Sequence, residues 1–153
     1  MASRLKHDWN SWENYLTVHE KTLRQYLGMR SHYISGPTDY SVKKWTPESY
    51  ELNLRGLILR TNAGKSIEIK IEKSVELDTE YARPRARTFS YSYHALYAKP
   101  NARNLIRYCS PHGHRPIHHK HVYHLNGTYD VIEVPERTWP HVSEFLDEVL
   151  SVF

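Results

Sequence analysis

The chain has 153 residues and a single cysteine, Cys109. A lone thiol excludes a disulfide framework and leads to the expectation that there is no cysteine-based zinc site. Long apolar runs are missing as well. No stretch approaches the roughly 18–20 residues needed to cross a bilayer, and no signal-peptide pattern opens the sequence. The expectation is a soluble, cytoplasmic protein with no membrane partner. With 39% hydrophobic and 25% charged residues, the composition excludes a disordered tail, and the length predicts one domain. The most informative absence is of acid. Residues 81–129 contain no Asp or Glu, yet they hold eight of the 21 Lys and Arg and seven of the 11 histidines. The net charge of +4 hides this division. A nearly neutral first half is followed by an acid-free centre and then by an acidic end. A 49-residue segment without acid points to a surface that meets an anion, with nucleic-acid phosphate the leading candidate and RNA favoured over DNA.

The periodicity predicts an α+β fold. Trp12, Leu16, Leu23 and Leu27 recur at helical spacing, and Asn10 with Glu13 forms a capping pair. Ser35-Gly36-Pro37 breaks that pattern, so residues 1–47 are expected to form an N-terminal helix and connector. From Tyr50 the period changes to two. Leu52, Leu54 and Ile58, then Ile67, Ile69, Ile71, Val75 and Leu77, alternate with polar residues around a turn at Thr61–Lys65. Phe89, Tyr91, Tyr93 and Tyr97 share one face of a further strand. That is the pattern of a sheet core, with base stacking as its functional alternative. Leu105–Tyr108 returns, and Asn126-Gly127 joins 119–125 to 128–134 as a hairpin. Thr138 and Pro140 open a last helix with Val142, Phe145, Leu146 and Val149 as its apolar stripe. The expected unit at 48–153 is an antiparallel sheet of about five to six strands with the C-terminal helix packed on one face.

Two short motifs carry no chemistry. Gly64-Lys65-Ser66 lacks the upstream glycine of a phosphate loop, and Asn126-Gly127-Thr128 is a turn rather than a glycosylation acceptor. The histidine cluster is the main signal, with His112, His114, His118, His119, His121 and His124 falling within 13 residues. Imidazole can act as both acid and base near neutrality. Cleavage of RNA through its own 2′-hydroxyl needs such a pair and a cation to stabilise the phosphorane. His119-Lys120-His121 contains all three. A two-residue turn at Asn126-Gly127 would set Tyr123 against Asp130 and His121 against Ile132. His119, His121 and Tyr123 then share one face, and Lys120 needs a bulge to join them. The expected catalytic residues are therefore His119, His121 and Lys120. Arg83, Arg85, Arg87, His94, Arg107 and Arg115 are expected to bind nucleic acid. No acid or second cysteine lies nearby to complete a metal site. No cofactor is expected, a histidine-ligated metal remains an alternative, and Cys109 is read as incidental.

Tyr91-Ser92-Tyr93-His94, Leu105-Ile106-Arg107-Tyr108, Pro111-His112 and His118-His119-Lys120-His121-Val122 occur in that order across about residues 50–150. In this the chain resembles the TumE-type toxins of bacterial and archaeal toxin–antitoxin pairs. Where that pattern carries Asp and Asn after Arg-Tyr, this chain has Cys109-Ser110. The resemblance implies a toxin acting on RNA and held by a cognate antitoxin. The expected function is thus a toxin-like, metal-independent endoribonuclease. The alternatives are a nucleic-acid-binding module without chemistry and a histidine-ligated, metal-dependent nuclease, and self-association is left open.

Overall fold

A computed structural model describes residues 8–9, 12–35, 38–78, 85–111, 117–135 and 138–153. Nine strand segments form one antiparallel sheet: β1 (Asp8–Trp9), β2 (Ile34–Ser35), β3 (Asp39–Thr46), β4 (Ser49–Arg60), β5 (Ser66–Asp78), β6 (Arg85–Tyr97), β7 (Asn104–Cys109), β8 (His119–Tyr123) and β9 (Tyr129–Glu133). Two helices accompany them, α1 (Trp12–Met29) and α2 (Val142–Val152). From β4 to β9 neighbours in space are neighbours in sequence, while β2 and β3 both pair with β4 and β1 pairs with β6. The α+β class is as expected, but the strand count is higher. Much of the difference lies at 39–46, where the connector is a strand. β3 exposes seven of its eight residues, so it has no buried face to produce an alternating pattern.

One face of the sheet carries the core. The cross-strand row Ile71, Tyr93, Tyr108, Lys120, Ile132 and its neighbour Ile69, Ala95, Ile106, Val122, Asp130 follow from the register. Phe145 and Leu146 of α2 are fully buried against this side, with Val142 and Val149 beside them. Tyr93 and Tyr108 lie 5.7 and 5.8 Å from the Phe145 ring. α1 contributes Leu23 and Tyr26, and the Tyr26 hydroxyl donates to Asp147 Oδ1 at 3.0 Å, linking the two helices. The core reading of the aromatic run holds for Tyr91 and Tyr93. A register shift between Ser74 and Val75 turns Phe89 out, leaving it 67% exposed.

Two local expectations are corrected. His141, not Thr138, caps α2: its ring accepts from the Ser143 amide, and Glu144 closes a capping box. The Thr138 hydroxyl donates instead to the Pro135 carbonyl. In the β8–β9 hairpin the last bonded pair is His124–Thr128, so the loop has three residues, Leu125, Asn126 and Gly127. Gly127 takes φ +87°, the left-handed position that follows a tight turn in loops of this length. His121 therefore faces Val131 and Tyr123 faces Tyr129.

Candidate functional site: a thiol and two imidazoles on the face away from α2

The opposite face of the sheet is built from the alternate residues of the same strands. Register aligns Lys70, His94, Arg107, His121 and Val131 in one row across β5–β9, and Glu72, Ser92, Cys109, His119 and Glu133 in the next. Side-chain alternation thus sends Arg107 and Cys109 of β7 to the same side as His121 and His119 of β8. No residue of this group is close to another in sequence except within its own strand.

Cys109, His119 and His121 are buried, with relative exposures of 6%, 1% and 4%. Each offers one donor atom, and the three atoms lie within 4.8 Å of one another. The two imidazole rings are 5.0 Å apart and close to edge-on. His119 Nδ1 is 2.9 Å from the Ile117 carbonyl. A carbonyl only accepts, so Nδ1 carries a proton. His121 is flanked by Tyr129 at 4.9 Å and Tyr123 at 6.1 Å between ring centroids. Burial pushes the Cys109 thiol up from its ordinary pKa, while the positive charge of the nearby Arg107 guanidinium pulls the other way. Arg107 also lowers the pKa of Tyr123, whose net shift is upward through burial. The Arg107 Nε is buried. This guanidinium is the cation at the centre of the site.

His94 completes the row on the far side of Arg107. Its Nε2 donates to Asn104 Oδ1 at 2.8 Å. Burial lowers its pKa, and Arg107 and Lys70 act in the same direction.

Lys120 is not part of this group. It projects from the helix-bearing face, pairs with Glu148 of α2 and lies 5.2 Å from the Tyr108 ring. The regular β8 ladder has no bulge that would bring it round. Of the expected nucleic-acid contacts, Arg107 and His94 belong to the site. Arg87 lies on the same face opposite Glu76, five residues along β6 from the Ser92 row, or roughly 16 Å. Arg85 enters the sheet opposite Asp78. Arg83 and Arg115, like His112 and His114, lie outside the described residues. His124 is exposed and pairs with Asp130 at 3.0 Å.

Cys109, read from the sequence as incidental, stands inside the histidine group. Arg107 and Cys109 alternate on β7 as His119 and His121 do on β8, but no local pattern in the sequence joins the two pairs. A direct β7–β8 pairing is what puts the two pairs together.

Compared with family models, with curated proteins and with solved structures, the chain finds no match.

Proposed function

We propose that this chain is a toxin-type endoribonuclease that receives the RNA backbone on the face of β6–β8 that turns away from α2. The observation that carries the reading is Arg107 in one row with His94 and His121, next to His119, inside a segment free of acid. A guanidinium between imidazoles matches phosphate in charge and in its planar fork of donors. Two imidazoles promote phosphodiester cleavage by transferring protons or by holding a metal ion that activates the attacking oxygen. Arg107 takes the charge-stabilising role first expected of Lys120, since Lys120 is engaged by Glu148 on the other face. The toxin context, with a cognate antitoxin as partner, is supported by the motif resemblance across residues 50–150.

The test is purified protein with end-labelled RNA. Wild type is expected to cut, His119→Ala and His121→Ala to lose at least about 100-fold, in keeping with the usual worth of an acid–base group, and Arg107→Ala to lose both binding and rate. Undiminished cleavage in both histidine variants would sink the assignment. RNA binding without turnover in wild type would support the non-catalytic module instead.

A further inference from the structure

We propose that Cys109, His119 and His121 are three ligands of one zinc-class transition-metal ion, with the fourth position open to water or to a phosphate oxygen. The inference deepens the ribonuclease reading and rests on it only for what the ion does, not for whether it binds.

Thiolate and imidazole are the donors that borderline-soft divalent ions prefer, and three protein ligands with an open fourth position are the pattern of catalytic rather than structural zinc. Around one ion such donors stand roughly 3.3–3.6 Å apart. The observed spread of up to 4.8 Å closes to that range by small inward side-chain rotations. The backbone already supplies the frame, since Cys109 and His119 are direct partners across β7–β8 and His121 is the next residue on the same face.

Two further observations point to a ligand. The proton on His119 Nδ1 is held by the Ile117 carbonyl, the outer hydrogen bond that commonly orients a metal-bound imidazole and presents Nε2 to the ion. All three side chains are buried to 6% exposure or less, which suits donors gathered around one ion. Arg107 lies two residues from Cys109 on β7 and directly opposite His121, so it is placed to meet a phosphate that the ion draws in.

Cobalt(II) titration of the full-length, chelator-treated protein tests this directly. Cys109 is the only cysteine in the chain, so any thiolate-to-cobalt charge-transfer band must come from it. One ion per chain is expected, with that near-ultraviolet band and the intense visible absorption of a four-coordinate site, both removed by added zinc. Cys109→Ser should abolish the band. His119→Ala and His121→Ala should weaken binding by more than the roughly 10–100-fold that loss of an outer partner costs. The exposed control His124→Ala should keep both band and affinity. The wild-type spectrum stands whether or not a variant folds. Absence of one-to-one binding, or a bound ion without the thiolate band, would overturn the proposal. Cleavage of RNA read in parallel separates the two ideas. A bound ion with the band and uncut RNA sinks the ribonuclease reading alone. RNA cut at full rate by ion-free protein that binds no cobalt sinks the metal site alone.

Discussion

Lys120 sits beside both histidines in the sequence and on the far side of the sheet from them in space. Its half-buried ammonium pairs with Glu148, which also accepts from the Tyr108 hydroxyl at 2.6 Å. Together with burial, that carboxylate pushes the Tyr108 phenol well above its ordinary pKa. Lys120 is therefore a structural cation. Lys120→Met should cost about 1–3 kcal/mol by leaving a partly desolvated carboxylate short of a partner, measured by urea unfolding, with RNA cleavage per folded molecule unchanged. His94 makes a second prediction. Its folded-state pKa is lowered, chiefly by burial, so the unfolded chain binds more protons than the folded one. Stability is then retained above the unfolded value of about 6.5 and lost as acidification carries the pH down through the folded value. His94→Gln removes this contribution, so its urea midpoint should fall less than that of wild type between neutral and mildly acidic buffer.

At the scale of elements, what the sequence made legible divides by burial. The strands β4, β5 and β6 and the helix α2 each place apolar residues against the core, and their alternation or helical period could be read directly. β3 places almost none there, so only its pairing with β4 reveals it. The histidine pair was readable from alternation within β8. Cys109 was not, because joining it to the pair requires the β7–β8 register, which is set by backbone hydrogen bonds between segments that no local pattern connects. The β8–β9 loop shows how a turn decides register. Gly127 at φ +87° has open space around its α-carbon, so Gly127→Ala meets no clash, and its cost is conformational, roughly 1–2 kcal/mol. Amide shifts from β8 and β9 should change while those of β4 and β5 stay put, and a global rearrangement would contradict this account of the turn.

Over the whole molecule, charge is sorted by strand. On the face away from α2, β5 carries Glu68, Glu72 and Glu76 and β9 carries Glu133, whereas β6, β7 and β8 carry no acid at all. The acids of α2 lie on the other side and are engaged there: Asp147 with Tyr26 and Arg30, Glu148 with Tyr108 and Lys120, and Glu144 in the helix cap. On the proposed function, an anionic strand would be confined to the β6–β8 strip. Its affinity should fall with salt, and Arg107→Ala should reduce the slope of log K against log salt by about 0.7, the value for one phosphate contact on a single strand. Lys120→Met should leave that slope unchanged. Equal effects from the two substitutions would mean that RNA contacts the helix-bearing side.

Sequential pairing from β4 to β9 also has a kinetic meaning. Cys109 and His119 meet across two strands that follow one another in the chain, so the event that unites them is the closing of a hairpin, on the order of 1–10 μs. The three donors need not wait for the distant pairings of β1 with β6 or of α1 with α2. An ion captured at that moment would hold the β7–β8 ladder in register while the rest of the chain was still finding its place.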